Sequence, residues 1–178
     1  MPDLIPFTTA AHLFTDFEHT AWRLETRRGY ASDRNGPNWP RWLRGEDVSH
    51  DPPDGWRRNI AAQTAAGKRF ERVRVVDDPP TEGQRFLLAR APGNTSAGED
   101  IRNLYRTDAD RLGLPAFDFW LFDSRLVMRF VFDESDTTLG VVLSEDPADV
   151  VAACQARDAA WHYAVRTADF ATTVRSPV

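Results

Sequence analysis

Two short segments hold the side chains best suited to chemistry. Arg23-Leu24-Glu25 sets a cation and an anion two residues apart, and the phenol of Tyr30 follows. Ala97-Gly98-Glu99-Asp100-Ile101-Arg102 presents two carboxylates after a glycine turn, then an arginine that can hold one of them. Joined by Arg72 or Arg74, these groups can make either a buried ion-pair network or a pocket for an anion. A guanidinium fork suits carboxylate and phosphate equally, so residue type leaves both readings open. A third segment, Asp118-Phe119-Trp120-Leu121-Phe122-Asp123, flanks Trp120 with two carboxylates that could share acid–base work. In a strand Asp118 shares the face of Trp120 and Phe122, and a buried Asp there requires a partner such as Arg. Asp123-Ser124 reads more simply as a turn. The candidate cluster is therefore Arg23, Glu25, Tyr30, Arg74, Glu99, Arg102, Asp118 and Trp120.

Other chemistries find less support. The four histidines (His12, His19, His50, His162) lack a His-Glu-x-x-His arrangement. His12-Asp16-His19 has helical ligand spacing but reads as a solvated polar face. No metal site and no cofactor is expected. The sequence contains no Gly-x-Ser-x-Gly elbow, Walker motif or Gly-x-Gly-x-x-Gly fingerprint, so no catalytic residues are assigned and the chain leans away from an enzyme. Cys154 lies on an apolar helix face away from an N-terminus that would lower its pKa, and reads as inert core. Asn94-Thr95-Ser96 fits the glycosylation pattern, which carries no weight without export.

The elements that must position these groups follow from periodicity. Leu13, Phe14, Phe17, Ala21 and Leu24 recur at helical spacing and predict an amphipathic helix over 10–26, capped by Thr8 or Thr9. Residues 31–55 read as a loop with a helical turn at Pro40 to Leu43. Asp54 caps a helix running through Ala66, with Gly67 as its left-handed end. Phe70 to Val76 is a strand, Thr81 to Ala91 a helix, Ala91 to Gly98 a turn, Ile101 to Tyr105 a strand, and Asp108 to Leu112 a helical turn. Phe117 to Phe122, Leu126 to Phe132 and Thr138 to Ser144 form an antiparallel meander joined by short polar turns. Asp146-Pro147 opens a last helix that places Val150, Cys154, Trp161 and Val165 on one face. The expected fold is a single α+β domain over residues 1–178: a mostly antiparallel sheet with this C-terminal meander and helices packed on one face.

Composition sets the boundaries. The 178 residues are 42% apolar and 28% charged, with six Trp and eleven Phe, an ordinary mixture for one folded domain. The cations are 21 Arg and one Lys, Lys68, and the net charge is −5. Residues 1–89 carry 13 basic and 13 acidic groups, whereas residues 90–178 carry 9 and 14, so the whole acid excess lies in the second half. A broadly basic nucleic-acid binder is excluded, and the densest basic stretch, Arg57 to Arg74, is diluted by Glu71, Asp77 and Asp78. Direct DNA binding is not expected. A single cysteine permits no internal disulfide, no stretch approaches the ~20 apolar residues of a membrane span, and Met1 to Phe14 has no basic export region. The chain reads as cytoplasmic, with no membrane association.

Several segments together carry a family resemblance. Leu13-Phe14-x-x-Phe17, Trp22-Arg23-Leu24-Glu25-Thr26 and Tyr30 are similar to the opening of an uncharacterised actinobacterial family of small proteins, a domain of unknown function. So are Gly67-Lys68-Arg69 with Arg72-Val73-Arg74-Val75-Val76, the 97–102 and 118–123 segments, and Ala159-Ala160-Trp161. Gln84 departs from the pattern, which favours an aromatic residue there. Members are typically encoded beside helix-turn-helix regulators and sometimes beside small proteins of toxin–antitoxin-like pairs. The resemblance thus implies a regulatory protein that binds a helix-turn-helix regulator and modulates it, and an acidic surface could compete with DNA for a basic groove. The alternatives are a small enzyme or toxin-like effector acting on a nucleotide or RNA, and a sensor of an anionic small ligand; both would use the Arg/Glu cluster.

Overall fold

Trp22 and Leu24 alternate with Ala21, Arg23 and Glu25, and all but the half-covered Arg23 are buried, so this segment lies between two packed layers. That arrangement defines a central strand. The computed structural model describes residues 3–174. Its strands are β1 (Leu4–Ile5), β2 (Thr20–Glu25), β3 (Arg69–Val76), β4 (Asp100–Tyr105), β5 (Phe119–Phe122), β6 (Leu126–Phe132), β7 (Thr138–Ser144) and β8 (Val165–Arg166). Its helices are α1 (Phe7–Ala10), α2 (Leu13–Asp16), α3 (Ala31–Arg34), α4 (Asn38–Leu43), α5 (Gly55–Ala65), α6 (Glu82–Ala97), α7 (Arg106–Arg111), α8 (Pro147–Tyr163) and α9 (Thr167–Ala171). The strands form one eight-stranded sheet in the order β1-β7-β6-β5-β2-β3-β4-β8. It is α+β and mostly antiparallel; only β2–β3 and β3–β4 pair in parallel.

The amphipathic helix expected over 10–26 is replaced by the short α2 and by β2. Helical spacing at 13, 14, 17, 21 and 24 is fortuitous, because β2 puts Trp22 and Leu24 on one face and the buried charges Arg23 and Glu25 on the other, so at 23 and 25 its covered second face carries no apolar signal. The expectation of helices on one face is also corrected. The parallel crossovers from β2 to β3 and from β3 to β4 carry α5 and α6 onto the same face, as their shared handedness requires. After the meander, α8 returns across the opposite face, where Ala153 and Ala160 pack with Trp22, Val73, Phe119 and Leu121. The α5 face instead gathers Phe14, Ile60, Phe70, Trp120 and Met128.

Several local signals operate as their chemistry dictates. The Asp54 carboxylate accepts the Arg57 N–H at 2.9 Å, and α5 ends before Gly67 at φ 86°. Asp146 accepts the Ala148 N–H at 2.8 Å with Pro147 at the first turn of α8. Gln84 is fully buried and completes a capping box: its N–H donates to Thr81 Oγ1 at 3.2 Å, and its Oε1 accepts from the Thr81 N–H at 3.0 Å. An aromatic residue at 84 would lose that reciprocal pair.

The turn expected over Ala91–Gly98 is instead the last part of α6. The helix continues through Pro92 because its following turn is tied down from outside. Gly93 packs directly on Arg57 and the Ser49 carbonyl, and Asn94 Oδ1 accepts from Arg57 Nε at 3.1 Å. Gly98, at φ 117°, then ends the helix in the left-handed region and turns the chain into β4. Val150, Cys154 and Trp161 pack inward from α8 as expected, whereas Val165 lies exposed in β8.

Candidate functional site

Register builds the site. On adjacent strands Arg23 lies opposite Arg72 and Glu25 opposite Arg74, while Arg23 also faces Trp120 of β5. Side chains at these positions point to one face, so three arginines and a glutamate meet above the middle of the sheet. Glu25 is the hub. Its Oε1 accepts from Arg72 Nη1 at 2.5 Å, its Oε2 accepts from Arg74 Nε at 2.7 Å, and Arg23 Nη2 lies 3.5 Å away. Gly98 turns Glu99 inward, where its Oε1 accepts from Arg72 Nε at 2.7 Å and its Oε2 from Asn94 Nδ2 at 3.0 Å. Arg74 Nη1 also donates to the Leu87 carbonyl of α6 at 3.2 Å.

Asp118, at the entrance to β5, anchors a second arm. One carboxylate oxygen accepts from the Thr26 N–H at 2.7 Å and Thr26 Oγ1 at 2.9 Å. The other accepts from the Tyr30 hydroxyl at 2.5 Å and Arg23 Nη2 at 3.3 Å. The Arg23 guanidinium sits 5.0 Å from the Phe130 ring centre and 5.6 Å from those of Tyr30 and Trp120. Its Nε is buried without a hydrogen-bond partner among the described residues.

This floor opens into a cavity of about 790 Å³. Phe7, Phe14, Trp56, Trp120, Phe130 and Phe132 supply much of its wall. Phe14 meets Trp120 edge to face at 5.0 Å and Trp56 at 5.2 Å, fixing the aromatic planes. Asp33, Asp54, Arg90 and Asn94 add polar groups around the charged floor. Three guanidinium nitrogens of the floor, Arg23 Nη1, Arg72 Nη2 and Arg74 Nη2, donate to no protein acceptor among the described residues.

The electrostatics keep Glu25, Arg23 and Arg72 charged and favour the neutral forms of Tyr30 and Asp33. Burial pushes the Glu25 carboxyl up, but Arg72, Arg74 and Arg23 outweigh it and hold the group well below the usual carboxylate range. Burial lowers the Arg23 and Arg72 guanidiniums, yet Glu25 with Tyr30 and Asp118 raises Arg23 overall, and Glu25 with Glu99 raises Arg72. Burial and the neighbouring Asp118 and Glu25 charges raise the Tyr30 phenol well above its ordinary value. Half-buried Asp33 is raised by burial and by Glu25.

The structure brings together Arg23, Glu25, Tyr30, Arg74, Glu99, Asp118 and Trp120, and it adds Arg72 as the bridge between the two glutamates. Arg102 does not join them. It lies opposite Val73 and so points to the other face. There it reaches Asp100 at 3.3 Å, donates to the Trp161 carbonyl, and stacks on that indole at 3.7 Å. Asp118 and Asp123 are not a working pair either: Asp123 accepts the N–H groups of Glu18, His19 and Thr20 at 2.7–2.9 Å. Trp56, Asn94, Asp33 and Arg90 were missed by sequence reasoning, since nothing in their local pattern marks them. The basic stretch Arg57–Arg74 is not a surface patch, because Arg57, Arg72 and Arg74 are buried and only Arg58 and Arg69 stand exposed.

Among the described residues no group of three or more His, Cys, Asp or Glu could hold a metal ion, and no helix is long and apolar enough to cross a membrane. No curated protein matches the chain. A family model described as a domain of unknown function, DUF6879, matches residues 8–172, nearly the whole length over which the sheet, its two helical layers and the arginine-floored cavity are built, and the chain belongs to that family.

Proposed function

We propose that the protein is a binding module for a small anionic ligand, a sensor rather than an enzyme. The observation that carries this reading is that Arg23, Arg72 and Arg74, each with a guanidinium nitrogen that donates to no protein acceptor among the described residues, line one aromatic-walled cavity. A cavity of this volume, mostly apolar with a few convergent polar groups, has the character of a small-molecule site. The small-enzyme or toxin-like reading stands behind it. Glu25 is locked in its ionised form by three arginines, and the oxygens of Glu99 and Asp118 are already accepting hydrogen bonds, so acid–base work would fall not to the arginine floor but to Asp33, whose carboxyl is raised by burial, or Asp54 on the cavity wall. A thermal-shift screen of small metabolites, paired with Trp fluorescence from Trp56 and Trp120, tests the proposal, because a ligand that binds only the folded state must raise Tm. Failure of every anionic small molecule at millimolar concentration to do either would sink it.

A second reading concerns output. The family resemblance implies an actinobacterial setting beside helix-turn-helix regulators, in some cases within toxin–antitoxin-like pairs, and so a protein partner whose DNA binding is modulated, and composition implies a cytoplasmic setting. The single free cysteine, Cys154, fits a reducing compartment. Exposed Glu134 before β7, and exposed Glu145, Asp146 and Asp149 after it, offer acid to a basic partner at both ends of that strand. Co-purification with the adjacent regulator, followed by a mobility-shift assay, checks this; no complex and unchanged DNA binding at low salt would dismiss it.

A further inference from the structure

We infer that the ligand of this cavity is an aromatic or similarly flat apolar monoanion, of the carboxylic-acid class, and that Arg23 is the residue that grips its charge. The inference rests on the binding-module reading and specifies its chemistry. The floor is balanced before any ligand enters: Arg23, Arg72 and Arg74 face Glu25, Glu99 and Asp118, three charges of each sign. Elsewhere on the lining Arg90 lies 3.5 Å from Asp54, and Asp33 adds a further carboxyl. A di- or triphosphate would therefore bring several charges into a low-dielectric site with no net positive charge to meet them. One planar carboxylate is different. It can take N–H donors from the guanidiniums that line the cavity, while the aromatic walls accept a flat body.

The three arginines are not equivalent. Arg72 and Arg74 are clamped to Glu25 and Glu99 at 2.5–2.7 Å, whereas the contacts of Arg23 are 3.3 Å to Asp118 and 3.5 Å to Glu25. Arg23 is also the most open of the three, at 14% side-chain exposure against 7% and 3%. Its hydrogen-bonding capacity is the least used, and it stands among three ring faces able to flank the ligand. A ligand carboxylate thus gains more from Arg23 than from its neighbours, and costs the network less to reach it.

The test compares 2-naphthoate with 2-naphthamide, which has the same body without the charge, alongside ATP and pyrophosphate, by calorimetry and thermal shift on the intact chain. We expect naphthoate to bind about tenfold more tightly than the amide, as one charge-assisted contact provides, and the polyanions to bind more weakly than naphthoate. Arg23→Met should erase the difference between acid and amide while the amide still binds, which also shows that the variant is folded. Arg23→Lys, which retains charge without the fork, should recover only part of it. Amide binding equal to acid, or ATP or pyrophosphate binding more tightly than naphthoate, overturns the ligand class while leaving a binding module in place. An undiminished acid preference in Arg23→Met overturns the role of Arg23. If no aromatic acid binds but the metabolite screen finds another ligand, this inference fails and the module survives; if both are silent, both fail.

Discussion

Glu25→Gln is the most direct probe of the network, because one carboxylate there meets three guanidiniums. The substitution keeps the shape and removes the charge. The amide oxygen can still accept from Arg72 or Arg74, but the amide nitrogen then presents hydrogens to the other arginine's donor, so one contact at 2.5 or 2.7 Å becomes a repulsion. Three buried cations are left with Glu99 and Asp118 alone. Removing one partner of a buried pair costs ~3–5 kcal/mol, because the surviving charge is uncompensated. For a chain of this size that is a fall in Tm of about 6–20 °C. The pH dependence follows from the depressed carboxyl pKa of Glu25. A folded-state value below the unfolded one, about 4.3, stabilises the fold fully above that unfolded value, and the contribution is lost as pH falls toward the folded value. The gap between wild type and Glu25→Gln should therefore be constant from neutral pH down to about pH 5–6 and narrow below about pH 4. Urea unfolding followed by Trp fluorescence across that range measures it. A loss under about 1 kcal/mol at pH 7, or a gap that widens with acid, would refute the hub as described.

Two local changes should act in opposite directions. Asp123 and Ser124 turn from β5 into β6 with φ of 51° and 52°, the left-handed pair that favours glycine at the second place, so Ser124→Gly should stabilise the protein by ~0.5–1 kcal/mol in thermal unfolding; a destabilisation would mean the Ser124 contact to Arg157 matters more than backbone strain. Gly93→Ala, a change that in an open helix stabilises by ~0.5–1 kcal/mol, should here destabilise by ~1–3 kcal/mol, since a Cβ would collide with the Arg57 guanidinium and the Ser49 carbonyl. An increase in Tm for Gly93→Ala would show that this packing is looser than described.

What could be read in advance was local, and what could not was set by partners distant in sequence. Asp54, Gly67 and Asp146-Pro147 announce helix ends because a cap is satisfied by backbone groups within a few residues. The meander is legible because alternation and turn chemistry lie in one continuous stretch. Segment 20–25 misleads because its second face is covered by charge rather than by apolar side chains: Arg23 and Glu25 are satisfied by Arg72, Arg74 and Asp118, some 50 to 95 residues away. The sheet face of Arg102 depends on parity. Three residues after Glu99 it looks equally available, but its pairing opposite Val73 fixes it on the far face, and only the β3–β4 register decides that. Pro92 is the converse case, a strong local stop overridden by the packing of Gly93 and Asn94 on Arg57.

The same physics bears on why so much charge is buried. An ion network in a core is seldom required for stability, and well-packed apolar residues in its place are often neutral or better by ~1–4 kcal/mol. Ordinary sheet faces of this chain show the apolar solution: Trp22, Leu24, Val73 and Val75 cover the reverse side of the strands that carry Arg23, Glu25, Arg72 and Arg74. If the network served only the fold, its position beneath an open cavity would be incidental, and replacing it whole would remove a structural necessity. If it exists to hold guanidinium edges toward a ligand, stability and binding separate. The variant Glu25→Leu, Arg72→Met, Arg74→Met, Glu99→Gln removes two charges of each sign and keeps the volumes similar. It should unfold within about 2 kcal/mol of wild type, although Glu25→Gln alone loses more, and it should bind 2-naphthoate more weakly than wild type, because Arg23 stays but loses the charged neighbours that hold it in place. Loss of the fold in the fourfold variant would show that these charges hold up the sheet, and undiminished 2-naphthoate binding with all four replaced would show that they do not serve the ligand.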